Sequence, residues 1–255
     1  MWDPEVYGRF ADQRSRPFHE LVARVGANAP GRVVDLGCGD GSLTEALAAR
    51  WPSASVLGVD SSSSMLAGAA ARASDRLSFT LGEIQDWKPD EPVDVLVSNA
   101  ALQWVPGHMT LLPRFVGFLA PGGWLAIQVP GNFDAPSHAL LRSLCTSPRW
   151  NAQLASAARW PPMPAPEDYV RELAGLGCVV DSWETTYAQV LAGPDAVLAW
   201  MRGTALRPVL ARLSPSEAAS FEAELGGLLR EAYPPQPYGT VLPFRRIFAV
   251  AQVTG

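Results

Sequence analysis

The stretch Val33-Val34-Asp35-Leu36-Gly37-Cys38-Gly39-Asp40-Gly41 concentrates the residues whose types and spacing could do chemistry. An apolar run ends in an acid, and glycines then alternate with other residues. Glycine lets a backbone turn sharply and pass close to a ligand. Residues 42–50 read as a helix, whose first N–H groups can meet polar ligand atoms. Asp35 could accept from the amino group of a bound amino-acid moiety. Residues 56–60 form a second apolar run ending in an acid, and Asp60 is placed for a pair of ribose hydroxyls. The spacing Gly37-x-Gly39-x-Gly41 departs from the G-x-G-x-x-G of dinucleotide sites. Strand, glycine turn, helix and acidic second strand together predict a nucleotide-type ligand.

The elements that must hold these residues follow from periodicity and punctuation. Residues 17–25 have helical spacing, with Phe18, Leu21, Val22 and Val25 on one side. Residues 61–72 read as a helix whose serines supply capping oxygens. Strands are predicted at 77–81, 93–99, 124–129, 178–191 and 246–253, with a helix at 114–120 and a Pro121-Gly122-Gly123 turn. With the first two strands this makes a doubly wound, mostly parallel, seven-stranded α/β sheet. Two long excursions interrupt it after the fifth and sixth strands and are expected to form a helical cap. The division predicted is an N-terminal lid segment, 1–30, an α/β core of 31–130, 178–191 and 245–255, and a cap of 131–177 and 192–244.

Composition excludes several classes. The 255 residues, 48% hydrophobic, suit one α/β domain with an appended cap or two closely joined lobes. A net charge of −5 argues against a nucleic-acid partner, whose phosphates demand a basic face. Lys88 is the one lysine, so an anion clamp here must be built from arginine. No long apolar run and no signal-peptide pattern is seen, which predicts no membrane association and a cytoplasmic protein. Cys38, Cys145 and Cys178 are scattered, as are His19, His108 and His138. That fits a reducing compartment and gives no metal-ligand spacing. A monomer or weak dimer is expected.

The D-x-G-x-G-x-G pattern from Asp35 to Gly41, followed by a strand ending in Asp60, resembles the class I methyltransferases that bind S-adenosylmethionine. An opening with Trp2, Pro4, Tyr7 and Phe10, then Arg14-Ser15-Arg16-Pro17, narrows the likeness. So do Asn99-Ala100-Ala101-Leu102-Gln103-Trp104, Leu206-Arg207-Pro208 and Phe244-Arg245-Arg246-Ile247-Phe248. On these motifs the chain resembles the trans-aconitate 2-methyltransferase family. The likeness thins across residues 145–166, and it departs at Glu83, where aspartate is expected.

The resemblance implies a Rossmann-like methyltransferase fold and transfer of a methyl group to a carboxylate of trans-aconitate or a similar small polycarboxylate, giving a monomethyl ester. Asp35, Gly37, Gly39, Gly41, Asp60, Ser61, Met65, Glu83, Ile84, Asn99 and Leu102 would surround the cofactor, with Glu83 toward the adenine amino group. Trp2, Tyr7, Phe10, Arg14, Trp104, Arg207 and Arg246 would meet the acceptor, and the segment before residue 17 could fold over it. A carboxylate is already ionised at neutral pH, its pKa lying near about 4, so no general base is expected. Arginine forks, drawn from Arg14, Arg16, Arg207, Arg245 and Arg246, would grip the non-reacting carboxylates. Two alternatives stand beside this reading. One is another acid or a phenol as acceptor; the other is a non-catalytic protein that binds the cofactor.

Overall fold

Val33, Val34 and Leu36 have almost no exposed surface, as a strand covered on both faces requires. In the computed structural model they lie in β1 (Arg32–Leu36), at the middle of a seven-stranded sheet. The structure describes residues 11–157 and 162–254, without the side chains of 11–14. The other strands are β2 (Ser55–Asp60), β3 (Leu77–Leu81), β4 (Val93–Asn99), β5 (Leu119–Pro130), β6 (Cys178–Leu191) and β7 (Thr240–Val253). Their order across the sheet is β3-β2-β1-β4-β5-β7-β6. β2 and β4 flank β1, both parallel to it, and β7 runs antiparallel to β5. The order reverses between β1 and β4, and ligands of open α/β sheets bind at such a switch point, beyond the carboxyl ends of the strands.

The helices of this core follow their local signals. Ser42–Arg50 is helical, with Thr44 and Leu47 wholly buried. Ser62 caps Ser63–Ala69 through its hydroxyl, and the last turn tightens to a 3₁₀ segment, Ala70–Arg72. The first described helix, Ala11–Ala23, begins earlier than predicted, with Pro17 inside it, and buries Phe18, Leu21 and Val22. β5 begins at Leu119 and absorbs the predicted turn, with Gly122 at φ 74° and a register irregularity opposite Val93–Val95. The helix before it correspondingly ends at Gly117. β7 begins at Thr240, ahead of the predicted start at Arg246.

The chain divides into two compact units. One comprises residues 14–130, 164–185 and 246–254 and holds β1–β5 with the part of β7 that pairs with β5. The other comprises, among the described residues, 11–13, 131–157, 162–163 and 186–245. Its described part is largely helical, around a core that includes Leu141, Trp150, Trp200, Phe221 and Leu225. Its longest helix, Pro215–Ala232, opens with a capping box in which Ser214 and Glu217 satisfy each other's backbone N–H groups. Trp150 Nε1 donates to Glu224 Oε2 at 3.1 Å on that helix. Among the described residues no helix is long and apolar enough to cross a membrane.

Candidate functional site

β1 and β2 end side by side, Leu36 opposite Val59, so the glycine turn leaves the sheet next to Asp60. Gly37 and Cys38 both donate their N–H groups to Val59 O, at 2.8 and 3.1 Å. Gly39 N–H donates to Asp60 Oδ2 at 2.8 Å, and Ser62 N–H donates to Oδ1 at 2.8 Å. Asp60 thus orders the turn with one bond to each oxygen, and each oxygen keeps a further lone pair. Asp35 lies behind, buried, with Thr44 Oγ1 donating to its Oδ2 at 2.7 Å. Burial pushes its carboxyl up to about 6; the Thr44 bond opposes this and the charge of Asp60 adds to it. Burial also pushes the Cys38 thiol far up, which keeps it from being a nucleophile.

Two glycines have different reasons. A Cβ on Gly37 would lie 2.2 Å from Ala101 Cβ, so the turn after β1 touches the chain leaving β4. Gly39, at φ 58°, would direct a Cβ into open space, with no atom within 4 Å. Its backbone therefore offers a ligand an unobstructed face. Ile84, beyond β3, closes this region at 3.5 Å from the position of a Gly37 Cβ. Glu83 is exposed beside it, in a turn whose following carbonyls at Gln85, Asp86 and Trp87 accept from Arg114. Ser61 is exposed and Met65 half-buried on the next turn.

The exits of β4 and β5 form a polar cluster. Asn99 and Gln128 are register partners, and Ala100, at φ 53°, donates its N–H to Gln128 O at 2.9 Å. A non-glycine residue with positive φ is uncommon and costs about 1–2 kcal/mol, so the surroundings must hold it. Gln103 Nε2 does so by donating to Ala100 O at 2.5 Å. Asn99 Oδ1, Gln103 Oε1 and Gln128 Nε2 are buried without a hydrogen-bond partner. Arg246 on β7, opposite Pro130, is 5% exposed, and its Nη1 donates to Gln128 Oε1 at 3.4 Å.

Several predicted residues stand elsewhere. The side chain of Leu102 has no exposed surface. Burial of this kind is set by tertiary packing and is invisible in its motif. Trp104 is 56% exposed. Arg16 is exposed and paired with Glu20 at 2.9 Å. Arg207 is exposed in the other unit, where Arg245 also lies, its N–H donating to Asn132 Oδ1. Trp2, Tyr7 and Phe10 lie outside the described residues, as does the side chain of Arg14. Gln128, an amide inside the apolar run Trp124–Val129, was not among the residues singled out from the sequence.

Among the described residues, His108 and His138 are held by their own packing. His108 turns into the core, its Nε2 2.7 Å from Tyr169 Oη, and burial lowers its pKa to about 4. His138 belongs to the other unit and is lowered to about 4 by burial and by Arg142. Among the described residues no group of metal-ligating side chains could hold an ion. The unit can therefore orient a cationic, hydroxyl-bearing ligand by its acids and an anion by its guanidinium.

A methyltransferase-domain family model matches residues 33–123. The chain is 51% identical to the trans-aconitate 2-methyltransferase of Streptomyces avermitilis, over 98% of this chain and 96% of that one. It is 52% identical to that of Rhodococcus jostii, over 99% and 100%, and 50% identical to that of Mycobacterium tuberculosis, over 100% and 98%. Among solved structures the YcgJ protein of Bacillus subtilis superposes with a TM-score of 0.64 at 13% identity, covering 94% of this chain and 99% of that one. That likeness shows the fold, and with the family model it makes the sheet that of a Rossmann-like methyltransferase domain.

Proposed function

The chain belongs to the trans-aconitate 2-methyltransferase family, and on that premise we propose how its residues carry the reaction. The protein transfers a methyl group from S-adenosylmethionine to a carboxylate of trans-aconitate, giving a monomethyl ester. When bound, the donor would supply a methyl carbon activated by its sulfonium, the C–S bond breaking as the bond to a carboxylate oxygen forms and S-adenosylhomocysteine leaving.

The residues at the switch point fit such a donor. Asp60 has lone pairs left for two ribose hydroxyls, Glu83 can accept from the adenine amino group, and Ile84 and Met65 flank them. Gly39 leaves its face open. The orphaned acceptors Asn99 Oδ1 and Gln103 Oε1 suit a ligand carrying positive charge. Asp35 braces the turn through Thr44 rather than reaching outward. On the acceptor side Arg246 grips a carboxylate.

Positioning then does most of the work. Holding two reactants in line supplies roughly 7–11 kcal/mol. Sulfonium and carboxylate cancel each other's charge on the way to products, so a site from which water is excluded favours the transition state. A guanidinium squarely on the attacking carboxylate would lower its nucleophilicity, so Arg246 holds a carboxylate that does not react. The observation that carries the reading is the sorting of the site by sign, with acids and orphaned acceptors at β1, β2 and β4 and a buried guanidinium across β5 and β7.

The test is transfer of a labelled methyl group to a panel of trans-aconitate, a monocarboxylate and a phenol. Label is expected in a base-labile ester of trans-aconitate. Label in the phenol alone would overturn the acceptor assignment. S-adenosylhomocysteine binding without transfer to any acceptor would overturn the enzymatic one.

A further inference from the structure

We propose that Gln128 is a substrate-binding residue of this site, its amide N–H groups reading the same non-reacting carboxylate that Arg246 grips. The proposal rests on the acceptor assignment above.

Gln128 has no exposed surface, on a strand otherwise filled with Leu125, Ala126, Ile127 and Val129. A leucine would fit that run without leaving a polar group to satisfy. The amide's orientation is set by chemistry, because a guanidinium can only donate: Arg246 must face Oε1. Nε2 is thereby turned away from Arg246, and it has no partner. Buried donors without partners are rare and each calls for an explanation. A bound anion gives one, because the donor stands beside a buried positive charge.

The sheet register places the group where an acceptor is needed. Gln128 is paired with Asn99 at the carboxyl end of β4, and with Phe248 on β7, so Asn99, Gln128, Phe248 and Arg246 share one face. Asn99 Oδ1 and Gln128 Nε2 are a matched acceptor and donor on neighbouring strands, yet each is unpartnered. An internal strut would join them; a site for two oppositely charged ligands keeps them apart.

Two variants separate these readings, each followed by titration of trans-aconitate into the S-adenosylhomocysteine complex. Gln128→Met keeps the volume and removes the donor, and should weaken trans-aconitate binding about tenfold. Gln128→Glu sets a carboxylate against Arg246, which holds the fold by an internal ion pair and repels the acceptor; binding should fall at least about a hundredfold. S-adenosylhomocysteine affinity should stay within about twofold in both. Unchanged trans-aconitate affinity in Gln128→Glu, or an equal fall in affinity for both ligands, would overturn the proposal. Wild-type protein that binds trans-aconitate without methylating it would defeat the proposed reaction while the role of Gln128 is still judged by binding. Wild-type protein that does not bind it would defeat both.

Discussion

At the scale of the residue, Asp60 is the acid on which the cofactor proposal leans most. It orders the glycine turn through Gly39 and Ser62, and it has lone pairs left for a ligand. Asp60→Ala should weaken S-adenosylhomocysteine binding by about 1–3 kcal/mol, measured by calorimetry, because the ribose hydroxyls lose their acceptor. Unchanged affinity would show that the acid serves the turn alone. Gly39 makes the complementary case. Gly39→Ala meets no neighbour, so its folding cost should be only the strain of φ 58°, about 1–2 kcal/mol, while cofactor affinity drops by more than that. Asp35 gives a pH signature. Its folded carboxyl is raised from 3.8 to about 6, so the folded state holds the proton more tightly. Stability from this group is full below about 4 and is lost as pH rises through 6, to the extent of about 3 kcal/mol. In urea titrations of the protein alone, Asp35→Asn should gain on wild type at pH 8 and lose that advantage near pH 4. The acids and glycines were legible because each has a fixed offset from the end of a strand. Gln128 was not, because one amide in an apolar run looks like any buried polar residue until its unpartnered nitrogen is seen.

At the scale of the element, the sheet was legible where burial imposes composition. β1, β2 and β4 are covered on both faces and read as apolar runs, and the helix Ser42–Arg50 begins and ends where the sequence places it. Strand ends were not legible where pairing rather than composition decides them. The turn absorbed into β5 belongs to a strand whose start a neighbour sets, Leu119 pairing with Val93. The contact between the β1 turn and the β4 exit was equally hidden. Gly37→Ala would drive a Cβ to 2.2 Å from Ala101 and strain φ 82°, so it should cost several times what Gly39→Ala does in a thermal melt. Equal costs would mean that the two turns can separate freely. His108 and Tyr169 tie the 3₁₀ turn His108–Leu111 to the helix Pro166–Gly175. A histidine held neutral, with its pKa lowered to about 4, contributes stability above about 6.5 that is lost as pH falls toward 4. His108→Leu should flatten that acid limb while lowering stability by about 1–3 kcal/mol at neutral pH, where Tyr169 loses its partner.

At the scale of the whole molecule, a chain of net charge −5 binds an acceptor with three carboxylates, so affinity must come from local groups rather than from the overall field. Arg246 is buried against Gln128, while Arg16 is exposed and engaged by Glu20. Motifs could not rank these arginines because burial, which separates Arg246 from Arg16, is set by packing rather than by sequence position. The central claim is that the protein positions an acceptor that is already ionised and supplies no base to activate it. The direct measurement is kcat/KM for trans-aconitate across about pH 6.5 to 9 with the methyl donor saturating. The account predicts a flat profile, because carboxylates titrate near about pH 4 and the buried histidine His108 stays neutral throughout. A rising limb of unit slope with a midpoint near pH 7–8 would reveal a general base, and the positioning mechanism would be wrong.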